Sequence, residues 1–394
     1  MVGLRSFLLA GAPALVSLAA ILGCSGGGES GASSSGGASS SSSVTSSSAS
    51  SSSESSSSAS SSASSSASSS SSSTTTGAGG QGGGADVAPP KPLGLTTWMT
   101  GDAADAAVTP TGPGLILMGG GTDVDAAFTW WKPYVNGGDV VVLRTSGSNG
   151  YNDYLYTEIG GVDSVETLLV TSVELANSDY VSFVIAHAEG IFLAGGDQSK
   201  YLAAWKGTGV ETALMKAWSR GAVIGGTSAG CDVLGELIFA AVNGSVYSDE
   251  ALANPYNKYM TLDRDFLALP RLAGFITDTH FAQRDRMGRM VGFLGRILAD
   301  SWATEARGLG IDEATALVVD PAGQGKVLGN GAVYLLEATA APAVCVAGKP
   351  LEYAGLALHK LVAGATVALP SGVTAVPAST LSAAGGVLTP ANPY

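Results

Sequence analysis

Ser228 lies in Gly225-Gly226-Thr227-Ser228-Ala229-Gly230, directly after the apolar run Ala222 to Ile224 and before a helix-compatible segment. A strand that turns sharply into a helix at a serine exposes the hydroxyl beside backbone amides. Acyl transfer needs that arrangement, a nucleophile next to an oxyanion site. The same residues also suit a tight Gly/Ser turn without chemistry, so a base and a carboxylate must be sought elsewhere. The chain holds three histidines, His187, His280 and His359. His187 falls within a helical stretch from Tyr180 to Ala188, and His359 stands in a late segment with no paired polar motif. His280 is therefore the candidate base, able to take a hydroxyl proton near neutral pH if a carboxylate orients its other ring nitrogen. Gly308-Leu309-Gly310-Ile311-Asp312-Glu313 offers two such carboxylates. Spacing does not choose between Asp312 and Glu313, and either acid could instead cap a helix or close a strand-edge turn.

Three guanidinium groups, Arg284, Arg286 and Arg289, follow the histidine within Asp278-Thr279-His280-Phe281-Ala282-Gln283-Arg284-Asp285-Arg286-Met287-Gly288-Arg289. Such groups hold carboxylates through charge-assisted and often bidentate hydrogen bonds, as fixing an aspartyl substrate requires. A solvated basic helix start, or a set of structural ion pairs, fits the spacing equally well.

The elements around these residues alternate. Leu115 to Met118 reads as a buried strand entering the Gly119-Gly120-Gly121 turn, and Val140 to Leu143 and Gly190 to Ala194 as further strands. Val162 to Leu169 and Tyr180 to Ala188 are expected as helices. Ser199 is expected to cap a short helix through Trp205, and Val210 to Ser219 to form an amphipathic helix before the serine turn. Gly274 to Thr277 leads as a strand into His280, and Met287 to Leu298 has helical spacing. This is an α/β pattern, in which loops at the ends of parallel strands converge on one sheet edge.

Composition bounds the rest. Arg5, the apolar stretch Phe7 to Leu22 and Gly23-Cys24 read as an export signal over residues 1–24. Ile21-Leu22-Gly23-Cys24 resembles a bacterial lipoprotein processing site with Cys24 lipidated, which would anchor the chain to a membrane. A cleaved signal or a signal anchor are the alternatives. Residues 25–92 are dominated by Ser, Gly, Ala and Thr up to Pro89-Pro90-Lys91-Pro92. They have too little apolar surface to offset chain entropy, which makes them a spacer. The catalytic domain is expected over 93–345. The 346–394 extension could add edge strands or cover one side of the core. Cys231 is expected as a buried free thiol. No close Cys/His cluster points to zinc, and no metal or organic cofactor is expected. A net charge of -13 disfavours general nucleic-acid binding and is compatible with a cationic substrate. A homodimer stays open.

Taken in order, the motifs at Gly119-Gly120-Gly121, Gly195-Gly196-Asp197-Gln198, Gly225 to Gly230, Asp278 to Arg289 and Gly308 to Ala316 resemble the cyanophycinase and aspartyl-dipeptidase group, the S51 serine peptidases. The resemblance covers roughly residues 112–337. It implies a glutamine-amidotransferase-like three-layer sandwich with a predominantly parallel central sheet. It also implies Ser228 as nucleophile, His280 as base and Glu313, rather than Asp312, as the histidine's partner. Gln198, Asp278, Thr279, Arg284, Arg286 and Arg289 match substrate-binding or polar-network positions. Amides at Gly120, Gly121 and Ala229 would stabilise the oxyanion, aided by the dipole of the helix after Ser228. Thr279 departs from the glutamine common beside the histidine in cyanophycinases. The implied substrate is cyanophycin, a polyaspartate whose side chains bear arginine, with β-aspartyl-arginine as product. A short aspartyl-peptide hydrolase is the alternative, and an amino-acid-polymer binding protein on an inactive scaffold a third reading.

Overall fold

The computed structural model describes residues 87–394. The export segment, Cys24 and all but the end of the 25–92 spacer lie outside the described residues. Among the described residues no helix is long and apolar enough to cross a membrane.

A nine-stranded sheet forms the centre, ordered edge to edge as Thr96–Gly101, Ser164–Leu169, Asp139–Arg144, Gly190–Leu193, Val223–Thr227, Gly114–Met118, Thr315–Val319, Gln324–Gly329 and Thr366–Ala368. The five strands from Ser164–Leu169 to Gly114–Met118 are mutually parallel, and the flanking strands are antiparallel. Both faces of the parallel part are covered. Ile116, Met118, Val140, Val142 and Phe192 pack toward Phe128 and Trp131 of the Asp125–Val135 helix. Leu115, Leu117, Val141, Leu143 and Ile191 point to the opposite face, toward the Asp179–His187, Gln198–Trp205 and Gly209–Arg220 helices. Helices on both faces of a parallel sheet give the three-layer α/β arrangement, and burial of both faces explains why these strands read as unbroken apolar runs.

A second, eight-stranded sheet runs Val387–Thr389, Ser379–Ala384, Tyr353–Val362, Ala332–Ala338, Ala306–Ile311, Phe275–Asp278, Leu237–Phe239 and Leu262–Arg264. Leu309, Ile311, Val333 and Leu335 of this sheet share one core with Ile224 and Leu317 of the first. Its other face is covered by the Met287–Ala299 helix through Met290, Phe293, Leu294 and Ile297. Three strands of the 346–394 region extend this sheet, and Thr366–Ala368 pairs with Gln324–Gly329 in the first.

Three local expectations are overturned. Ser164–Leu169 is a strand where a helix was expected. The i, i+3 spacing of Val165 and Leu168 imitates a helix because the interleaved polar residues are buried too. Glu166 accepts a hydrogen bond from the Tyr180 hydroxyl at 2.8 Å, and Thr167 donates to Asn152 at 2.6 Å. At the helix beginning with Gln198 the cap is Asp197, not Ser199. The Asp197 carboxylate accepts from the Ser199 amide at 3.0 Å and its hydroxyl at 2.6 Å, two bonds where a serine oxygen would satisfy one. The helix after Ser228 is a single turn, Ala229–Asp232, before the chain bends at Val233 toward the second sheet, so the dipole assistance expected from it falls away.

Candidate active site

Two pairs of adjacent parallel strands bring the polar motifs together. Thr227 is registered with Met118, so Ser228 emerges beside the Gly119 to Gly121 turn. In the second sheet Asp278 is registered with Gly310, which sets the loop carrying His280 beside the one carrying Asp312 and Glu313. The two pairs meet at Gly119, whose carbonyl accepts the His280 amide at 2.8 Å. A Cβ on Gly119 would stand 1.9 Å from the Asp312 carbonyl oxygen, and one on Gly120 would stand 2.5 Å from the His280 ring. These glycines are thus required by close approach.

Ser228 adopts φ 52° and ψ −125°, a strained conformation at the strand-to-helix turn. Its Oγ lies 2.8 Å from His280 Nε2, and His280 Nδ1 lies 2.6 Å from Glu313 Oε1. Asp312 is occupied elsewhere, since its two carboxylate oxygens accept the Ala282 amide at 2.9 Å and the Ala332 amide at 3.0 Å. Gln283 steadies Glu313 from behind, its Oε1 accepting the Glu313 amide at 2.9 Å. Among the described residues the Ser228 amide donates to Met118 O at 3.2 Å and the Gly119 amide to Thr315 O at 3.0 Å. Among the described residues no turn or loop hydrogen bond takes the Gly120, Gly121 or Ala229 amides.

Burial holds the His280 pKa below its ordinary 6.5; the hydrogen bond to Glu313 opposes this, and Arg284 and Arg286 add to it. The imidazole is therefore neutral, and able to accept a proton, through the neutral range. If Ser228 is activated by His280, kcat/KM should fall only as pH drops below 6.5. Arg284→Gln removes a charge that disfavours the imidazolium, so it should move this acid limb to higher pH. A pH profile of both proteins checks the sign, and an unmoved limb would separate Arg284 from the base.

A cleft of about 490 Å³ opens over Ser228 and His280, with Gln198, Phe239, Arg284, Arg286 and Arg289 in its wall. Gln198 reaches Phe239 O at 3.4 Å. Arg284 is exposed at the mouth. Arg289 is 2% exposed and clamps Asp278 through Nε at 2.8 Å and Nη2 at 2.5 Å, while Arg286 Nη1 reaches the same carboxylate at 3.2 Å and Thr279 O at 2.8 Å. Asp278 and Thr279 are not in the cleft wall. Asp278 anchors the two arginines from beneath, and Thr279, fully buried, turns its hydroxyl to Asp232 at 3.3 Å. Arg289→Met would leave the buried Asp278 carboxylate with Arg286 as its remaining cationic partner, beside the Thr279 amide. The expected loss is about 3 kcal/mol of stability, read as a lower urea midpoint at unchanged slope.

Sequence reasoning missed Asp232 and the Ser245 to Ser248 stretch of the wall. Asp232 stands four residues beyond Ser228, a spacing that could have drawn attention to it, whereas the Ser245 stretch carries no motif. Among the described residues no group of His, Cys, Asp or Glu is arranged to hold a metal ion. Cys231 and Cys345 are buried free thiols.

A strained serine turn at the end of parallel strands, with a histidine on its hydroxyl and a glutamate on the histidine, defines an α/β protein of the nucleophile-elbow class. More narrowly, residues 161–323 match the model of peptidase family S51. The cyanophycinase of Synechococcus elongatus is 31% identical over 188 residues, covering 48% of this chain and 53% of that protein. The cyanophycinase of Nostoc sp. is 29% identical over 210 residues, covering 52% of this chain and 65% of that one. The chain thus spans between half and two thirds of the length of these curated relatives. A solved structure of a peptidase from an acI-B1 Actinobacterium is 18% identical with a TM-score of 0.45, over 65% of this chain and 97% of that one.

Proposed function

We propose that the chain is a serine peptidase of cyanophycinase type, hydrolysing an arginine-bearing aspartyl polymer to β-aspartyl-arginine units. The observation that carries this reading is the continuous row from Ser228 through His280 to Glu313, at 2.8 and 2.6 Å, under a cleft walled by three arginines.

In this mechanism the Ser228 hydroxyl oxygen attacks the scissile carbonyl carbon as its proton passes to His280 Nε2. Glu313 holds the other ring N–H and stabilises the imidazolium. The carbonyl oxygen, now negative, takes hydrogen bonds from amides among Gly120, Gly121 and Ala229. The C–N bond then breaks as the imidazolium gives its proton to the leaving amine, leaving an acyl ester on Ser228. Water, deprotonated by His280, attacks that ester and frees the acid and the serine. Arg284 and Arg286, in the wall of the cleft, suit the carboxylates of an aspartyl substrate.

Incubating the purified protein with cyanophycin and with α- and β-linked aspartyl dipeptides, with products read by mass spectrometry, tests the assignment. β-Aspartyl-arginine from the polymer is the expected result. Cleavage of the dipeptides alone would shift the assignment to a dipeptidase, and no product from any of them would leave only a binding role. The same reading takes the chain to be exported and anchored through a lipid on Cys24. The mass of the mature N-terminal peptide tests this, because an unlipidated fragment starting elsewhere would overturn it.

A further inference from the structure

We infer that Asp232 is the specificity residue through which the cleft recognises a substrate ammonium, the free α-amino group of the aspartyl unit whose carbonyl Ser228 attacks. This rests on the peptidase reading above. Asp232 lies in the wall of the Ser228 cleft and is 3% exposed. Its Oδ2 accepts the Thr279 hydroxyl at 3.3 Å, whereas its Oδ1, also buried, has no hydrogen-bond partner among the described residues. A buried acceptor without a donor is destabilising, so an orphan oxygen on a residue of the cleft wall is best explained by a donor that arrives with the ligand.

The other acids of the cleft wall, Asp197 and Asp285, are exposed, so water can satisfy the oxygen that the Ser199 and Tyr394 bonds leave over, and Asp278 takes Arg286 and the buried Arg289. The geometry also selects the kind of cation. A guanidinium is a planar fork that pairs best with both oxygens of a carboxylate, but one oxygen of Asp232 is held by Thr279. A single free oxygen suits the compact charge of an ammonium. Asp232 stands one helical turn beyond the nucleophile and lines the same cleft, so the ammonium it would meet is the one nearest the attacked carbonyl, the α-amino group of a terminal aspartyl unit. With Asp232 for the amine and the cleft arginines for the carboxylate of the arginine that the side chain bears, the cleft would read the charged groups of a terminal aspartyl-arginine unit.

The groups facing Asp232 are Asp278, Arg286, Arg289 and Thr279. Burial, then the Asp278 carboxylate, push its pKa up, and the two guanidinium groups oppose that. An arriving ammonium favours the ionised form, so binding should release a proton near neutral pH.

Binding separates this inference from turnover. In a Ser228→Ala background, calorimetry with β-aspartyl-arginine and with its N-acetyl derivative should show the free amine bound at least about tenfold more tightly. Adding Asp232→Asn should erase that preference, weakening the free amine by about tenfold or more and leaving the acetylated ligand within about twofold. Asp232→Ser serves as a second variant should the asparagine protein fold poorly, judged by its thermal transition. Equal loss for both ligands, loss for neither, or binding of neither ligand to the Ser228→Ala protein would overturn the assignment. So would a loss seen with β-aspartyl-arginine but not with β-aspartyl-leucine, which would make Asp232 a guanidinium site. Preferential free-amine binding without turnover by the wild type would sink the peptidase reading while leaving Asp232 supported.

Discussion

Ser228→Ala should reduce turnover of any cleaved aspartyl substrate by about 10⁶-fold while leaving the fold intact. In the proposed mechanism the hydroxyl removed is the group that attacks, and nothing adjacent replaces it. Cys231 is buried, and burial pushes its thiol further above its ordinary range, so it stays protonated and away from the cleft. Alanine fits the site without new contacts, and the amides at Gly120, Gly121 and Ala229 persist, so a residual acceleration of about 10³-fold over water is expected from them and from binding. Comparison of wild type and variant under single-turnover conditions reads the loss. Equal product formation by the two proteins would remove Ser228 from the mechanism. A loss confined to KM would recast the serine as a binding group.

Glu313→Gln carries the second large effect, about 10⁴-fold in kcat with little change in KM. Glu313 Oε1 stands 2.6 Å from His280 Nδ1, which fixes the proton on that nitrogen and leaves Nε2 free to accept from Ser228 at 2.8 Å. A glutamine amide can donate to Nδ1 as readily as it accepts, which places the ring proton on Nε2, where it faces the serine and blocks proton transfer. The variant also loses the negative charge that stabilises the imidazolium. Since that contact raises the His280 pKa, any residual activity should show its acid limb at lower pH than the wild type. A variant that keeps more than about a tenth of wild-type kcat would show that the carboxylate only packs against the ring, contrary to its role in the triad mechanism.

The Glu313 result bears on how far the chain can be read without its structure. The Leu115 to Met118, Val140 to Leu143 and Gly190 to Ala194 strands were legible because both faces are buried, which leaves continuous apolar runs. The helices ending at His187 and Arg220 were legible because one stripe of each is buried. Ser164–Leu169 was not. Its Glu166 and Thr167 are buried and satisfied by Tyr180 and Asn152, partners that no local pattern reveals. The Asp197 cap was misassigned by two residues because Asp and Ser both cap well, and only backbone geometry separates them. The second sheet was not anticipated as a separate layer. Most of its strands are joined through antiparallel pairings that depend on register, not on composition.

Residue types and spacing alone therefore determined the candidates: a serine in a glycine-bounded turn, a histidine followed by arginines, and a pair of acids just before an apolar stretch. They also determined the α/β alternation, because period and burial are local properties of the chain. Residue types and spacing left open which acid meets the histidine; the motif resemblance implied Glu313, and the tertiary structure supplies the physical reason. Asp312 and Glu313 are chemically similar neighbours, and successive residues at the end of a strand point to opposite sides, one to the Ala282 and Ala332 amides and the other to His280. The same holds for Asp232 and Thr279. Whether a side chain faces a cleft, or is spent on a buried partner, depends on what the fold packs against it from far along the chain.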